Sequence, residues 1–218
     1  FRANKMIDRP PIGLGHGRER GGLALLAVEE TTAIGDEELL RARVYGLLGR
    51  YLAAPPDAEL LRLTATLAGD ESDFGQAIGA LAHAAGRATP EVAAEEYQDI
   101  FIGVGRGEVV PYGSYYLTGF LHEKPLAELR VDMEKLGIAP ADDASDPEDH
   151  IAALCECMAG MIAGDYRTDL EIQRRFFNAH ISPWAAKFFS DLEKAPSAKV
   201  YRSIGAVGRL FVTVEQTA

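Results

Sequence analysis

Long apolar runs are missing from this 218-residue chain. None approaches the ~20 residues that span a bilayer, so no membrane insertion is expected. The run Leu23-Ala24-Leu25-Leu26-Ala27-Val28 ends at Glu29-Glu30. It follows Arg18 and Arg20 as a secretory leader's core would, yet it is shorter than the ~7–15 residues such a core needs. Cysteine is scarce. Cys155 and Cys157 stand at i, i+2, where helical side chains point to different faces and cannot readily bridge. That excludes a disulfide framework and fits a reducing, cytoplasmic setting. Positive charge is in deficit, with 22 Lys and Arg against 33 Asp and Glu. The net charge of -11 repels phosphate backbones and anionic lipid and favours cationic partners, so no nucleic acid is expected. Strand signals are also absent. No run alternates, no hairpin signal stands out, and the β-prone Leu210–Val214 is isolated.

What is present is an ordinary globular composition, 47% apolar and 25% charged, which can build a core. Residues 1–35 carry Pro10-Pro11 and glycines 13, 15, 17, 21 and 22, and read as a mobile leader. From Asp36 to residue 218 nearly every segment has helical period. Leu40, Val44, Leu47, Leu48 and Tyr51 mark a first helix, ended by Pro55-Pro56. Asp57, Ser72 and Thr89 are placed to cap the next three, with Pro90 at a first helical position. The third of these should run to about Phe101. A short helix follows over Ser114–Leu121, and another from Pro125 to Gly137. The spacing of Ile151, Leu154, Cys155, Met158, Met161 and Ile162 predicts one apolar stripe on a further helix. Others follow near 168–180, from Ser182-Pro183, and from Pro196-Ser197. The fold class is therefore all-α, one bundle of about 9–10 helices with short connections.

Two constellations carry chemistry. The first holds five carboxylates in eight residues, Asp142, Asp143, Asp146, Glu148 and Asp149, followed by His150. One reading is local: Asp146 caps a helix, Pro147 starts it, and Glu148 and Asp149 suit its dipole. The other is a receptor for cations, with His150 able to donate to a ligand and to respond near neutral pH. The second constellation gathers Tyr97, Tyr112, Tyr115 and Tyr116 around the turn Pro111-Tyr112-Gly113-Ser114. Tyrosines of this kind, with an apolar body and a polar tip, suit a peptide interface. A hydrolytic triad of Ser114, His150 and Asp149 is disfavoured. Adjacent helical residues diverge by about 100°, and Tyr116 stands where a nucleophile elbow needs glycine. Metal ligation by His150 lacks a second histidine one turn on.

Together these stretches resemble the TorD/DmsD/NarJ family of redox-enzyme maturation chaperones. The resemblance rests on Tyr97…Phe101-x-Gly103, on Pro111-x-x-Ser114 with its following tyrosine, and on Asp146-Pro147-Glu148-Asp149-His150. It covers roughly residues 36–195. The family's usual motif begins with glutamate where this chain has Asp146, and many relatives have tryptophan where it has Tyr112. The resemblance implies an all-helical bundle that is not an enzyme and holds no cofactor. It implies binding of the twin-arginine signal peptide, or N-terminal segment, of a molybdenum-cofactor oxidoreductase, with formate dehydrogenase one possible client. The client would be kept in the cytoplasm until its cofactor is inserted. Carried over residue by residue, the groove would include Pro111, Tyr112, Ser114, Asp149 and His150. Physically, two guanidinium groups need carboxylates, here Glu148 and Asp149, and an apolar trough, here Tyr112, Tyr115, Leu117 and Leu154. A monomer or a helix-swapped homodimer is expected. Two other readings stand beside this one: an acid–base enzyme using His150 and Asp149, and a helical scaffold subunit. A side expectation is that the Arg18-x-Arg20 leader mimics a signal peptide in the same groove.

Overall fold

The structure, a computed structural model, describes residues 2–3, 35–140 and 146–217. Most of the leader, with Arg18, Arg20 and Leu23–Val28, and the acids Asp142 and Asp143 lie outside the described residues. Ten α-helices are described: α1 Asp36–Ala53, α2 Ala58–Thr64, α3 Asp73–Arg87, α4 Pro90–Tyr97, α5 Gly113–Thr118, α6 Lys124–Lys135, α7 Ile151–Ala163, α8 Leu170–His180, α9 Ala185–Lys194 and α10 Val200–Glu215. The all-α expectation holds. One small addition is a two-residue antiparallel ladder between β1 (Arg2–Ala3) and β2 (Ile138–Ala139). No described helix is long and apolar enough to cross a membrane.

Local signals set many of the boundaries. Asp57 accepts from Leu60 N at 2.7 Å, Ser72 Oγ from Gly75 N at 3.0 Å, and Asp169 from Ile172 N at 2.8 Å. Each occupies an orphan amide of a first turn. Thr89 caps α4 and Pro90 opens it, as expected. The continuation towards Phe101 is not α-helical. Gln98–Ile102 form a π-helical turn, closed by Gly103 N donating to Gln98 O at 2.7 Å.

Three helix starts lie further along the chain than the sequence expectation, each because a distant group captures the predicted cap. The helix expected at Ser182-Pro183 begins at Ala185, and Ser182 instead accepts from Gln216 Nε2. The last helix begins at Val200 rather than at Pro196-Ser197. Ser197 bonds Glu108, and the buried Glu96 carboxylate accepts from the amides of Lys199, Val200 and Tyr201 at 2.6–3.2 Å. The third case, α7, belongs to the candidate site below.

Helix α7 lies at the centre of the core. The sequence marks one stripe on it, but Ala152 and Cys157 are buried too, which leaves Glu156 as its exposed charge. A helix apolar nearly all round is an interior helix. α1 packs along it, with Gly49 close to Ala152 and Cys155. α10 joins α1, α3 and α9. The Tyr45 and Phe211 rings meet edge-on at 4.7 Å, and Gly208 lies where a Cβ would strike the Phe189 ring. Both cysteines are free and buried, and burial pushes the Cys157 thiol up to about 12. They are small core residues without thiolate character.

Candidate functional site

The Pro111 turn and the acid–histidine segment, separated by about thirty-five residues, are zipped together. Gly113 N donates to Asp149 O at 3.0 Å and Ile151 N to Pro111 O at 2.9 Å. Between these bonds Tyr112 and His150 form an antiparallel bridge. Such a non-hydrogen-bonded pair brings side chains close, and the two rings meet edge to face with centroids 5.0 Å apart.

This pairing corrects the expected helix start. Asp146 and Pro147 do not open α7, because the residues up to His150 are drawn into the bridge. His150 becomes the N-cap, its Nδ1 accepting from Ala152 N at 3.1 Å. With Nδ1 as acceptor, the neutral ring carries its proton on Nε2. Burial is the first cause that pulls the His150 pKa below its ordinary value, against the opposing pull of Asp146 and Asp149. Asp149 is likewise not a first-turn acid of α7. Its Oδ2 accepts from Ser114 N at 2.7 Å and so caps α5.

The remaining predicted residues divide. Pro111 and Ser114 are buried beside Asp149, and Tyr112 is half-buried with its hydroxyl donating to Asp146 Oδ1 at 2.5 Å. Asp149 is 4% exposed and His150 7%. Two buried atoms here, Ser114 Oγ and Asp149 Oδ1, have no hydrogen-bond partner. Glu148 is not an open carboxylate. Arg130 bonds it at 2.8–2.9 Å and, although burial works the other way, holds its pKa below the usual range. Leu154 does not line an open trough: its exposure is 0% and it belongs to the core. The reason is that α7 is interior on most sides, Glu156 being its exposed exception near the start.

Tyr115 is half-buried under Arg106, whose guanidinium lies 5.1 Å from the ring centroid and donates to the hydroxyl. Tyr116 faces away from the turn's edge. It stacks on Trp184 at 5.6 Å and bonds Asp191. Tyr97 is likewise structural, with its hydroxyl on the carbonyls that end α1. Sequence reasoning missed Arg130, Arg106 and Trp184 as members of this region. Trp184 packs so closely that a Cβ at Gly113 would lie 3.0 Å from its Nε1. A tyrosine-glycine pair in the turn is the one signal that could have suggested such an approach. No group of three or more potential metal ligands occurs among the described residues. Ser114 Oγ makes no bond to His150, so a nucleophile–base pair is not assembled.

The bundle thus joins the Pro-x-x-Ser turn to the acid–histidine segment, the two motifs on which the resemblance to the maturation chaperones rests. The chain belongs to the nitrate reductase delta subunit family, whose model matches residues 67–190, and so to the TorD/DmsD/NarJ group. It is 24% identical over 130 residues to the chaperone protein TorD of Vibrio atlanticus, covering 55% of this chain and 60% of the relative. It is 32% identical over 71 residues to TorD of Photobacterium profundum, covering 32% and 33%. A provisionally named Tat proofreading chaperone DmsD of Haemophilus influenzae is 29% identical over 112 residues, covering 50% and 53%. The matches thus span between about a third and three-fifths of these relatives, which are named as chaperones and not as enzymes. A crystal structure from Archaeoglobus fulgidus, provisionally described as a redox enzyme maturation protein, shares the fold. Its TM-score is 0.54 at 20% identity, over 85% of this chain and 99% of that one.

Proposed function

We propose that this protein is a cytoplasmic chaperone for a molybdenum-cofactor oxidoreductase, formate dehydrogenase being one candidate. It binds the twin-arginine signal peptide, or N-terminal segment, of that client and holds it during cofactor insertion. One observation carries the reading. Asp149 keeps one carboxylate oxygen and its neighbour Ser114 keeps a hydroxyl, both buried and without partners. Buried polar atoms of this kind are normally satisfied, and an arriving guanidinium supplies two donors in a planar fork. Tyr112 is the movable part of the site, packed on His150 and tied to Asp146 at an exposed edge. An entering arginine takes the place of that tie, and Asp146 becomes a second carboxylate for the pair.

A scaffold reading also has an observation in its favour. Asp149 and His150 already cap α5 and α7, which is reason enough for their presence. Titrating a synthetic twin-arginine peptide by calorimetry separates the two. The chaperone reading expects Asp149→Asn, which keeps an acceptor for Ser114 N, to weaken binding by about tenfold or more. His150→Ala is expected to weaken it as well. An unchanged affinity in both variants would leave the caps as the whole role of these residues.

A further inference from the structure

An apolar groove elsewhere in the fold shares no residue with the Tyr112–His150 region. It lies between α1, α2 and α3, and its volume is about 510 Å³. Leu40, Leu47, Leu63, Leu67, Phe74 and Ile78 line it. Leu40 is 58% exposed and Leu63 43%, although each stands beside other apolar side chains. The groove exists because α2 has only seven residues and leaves the flank of α1 uncovered. Its floor offers a ligand no free polar group at Thr64. That hydroxyl donates to Leu60 O at 2.7 Å and accepts from Tyr51 at 3.0 Å. Grouped exposed leucines over such a floor mark an interaction surface.

The rim supplies the chemistry of the partner. Arg43 and Arg50 line it from α1. Seven residues apart, they stand about two turns, or roughly 10 Å, along that helix. Arg41 takes the ion pairs of this stretch, with Glu38 and Glu215. Arg43 and Arg50 have no ion-pair partner among the described residues. In a chain of net charge -11, a lining with two guanidinium groups and one carboxylate, Asp70, is a local reversal of sign, even with Glu59 within electrostatic reach of Arg50. Asp70 closes the far corner, with Oδ1 engaged by Ser72 N at 3.0 Å.

The geometry points to a second docking surface that takes an amphipathic helix of a partner protein, leucine-rich on one face and edged by carboxylates about two turns apart. This goes beyond the proposed signal-peptide site, whose ligand is cationic. Arg43 and Arg50 would repel that ligand, so the two surfaces select opposite charges and can be filled together.

The test uses the full chain and two synthetic helical peptides with one leucine stripe, flanked by glutamates in one and by lysines in the other. Binding is followed by fluorescence anisotropy at low salt. The glutamate peptide is expected to bind about three- to tenfold more tightly. Arg43→Glu with Arg50→Glu, both exposed positions, is expected to reverse that order with an unchanged circular dichroism spectrum. Asp149→Asn is expected to leave the glutamate peptide's affinity alone, which keeps this result independent of the twin-arginine titration, and any lysine-peptide binding lost in that variant belongs to the signal-peptide site. Equal affinities, no binding, or an order that survives the charge reversal would overturn the proposal. So would binding that appears only in a full-length Leu25→Asp, Leu26→Asp variant, since the chain's own apolar run would then be the occupant. Binding that accompanies dissociation of a dimer in sedimentation would assign the groove to a second copy, and also overturns it.

Discussion

His150 shows how one side chain can be structural and still carry a functional signal. Its Nδ1 holds the first turn of α7, and that nitrogen is the one a second proton would occupy. Protonation therefore removes the cap and places positive charge at a helix N-terminus, where the dipole opposes it. The folded-state pKa lies below the ordinary value of 6.5, chiefly through burial. Between the folded and unfolded values the unfolded chain binds more protons, so stability rises with pH across that window. The His150 contribution is fully present above about pH 6.5 and falls away as acidification carries the protein down towards the folded value. Denaturant melts at pH 7 and pH 5.5 measure this. His150→Asn retains a good capping residue and is expected to flatten that part of the profile. The sequence marks Asp149-His150 as a candidate only in company with the Pro111 turn, and the burial of both residues is not legible in it. Acids beside a proline suggest a solvated helix start, and nothing local reveals the Tyr112 bridge that displaces it.

Elements differ in how much of their placement is written locally. Asp57, Ser72, Thr89 and Asp169 cap the helices that come directly after them, because the acceptor and the amide it serves are about three residues apart. α10 is a contrary case. Its first amides are met by Glu96, more than one hundred residues earlier in the chain. No window of sequence holds both partners, so Pro196-Ser197 wins the local reading and loses in the fold. Glu96→Ala leaves three backbone donors without their carboxylate, two of them in largely buried bonds. A loss of about 2–3 kcal/mol is expected in chemical denaturation. Hydrogen exchange should speed up first at Lys199, Val200 and Tyr201, while α1 and α7 keep their protection. Glu96→Gln, with one carbonyl acceptor, is expected to lose less.

At the scale of the whole molecule, the excess of acid governs encounter more than fold. A chain of net charge -11 attracts a doubly cationic leader from a distance, and dissolved salt screens that attraction. Affinity for a twin-arginine peptide is expected to fall several-fold between about 50 mM and 500 mM sodium chloride, mostly through slower association. Stopped-flow measurements at the two salt concentrations separate the rates. The Arg130–Glu148 pair belongs to the same balance, since it has already neutralised one carboxylate that the sequence offered to a partner. The helical class was readable because helical period pervades the chain from Asp36 onward. The interior position of α7 was not, since its stripe is indistinguishable from that of a half-buried helix until α1 is packed against it.

The π-helical turn at Gln98–Ile102 holds one residue more than an α-turn of equal rise. That surplus makes the segment a natural place for lengths to diverge between homologues. Deleting a single codon here would turn the segment into an α-turn of much the same rise and rotation, and the downstream chain would keep its direction. Pro111 would then still meet the histidine segment through its two backbone bonds. Homologues that lack this residue should therefore keep the Pro111 turn unshifted, with no compensating insertion before it.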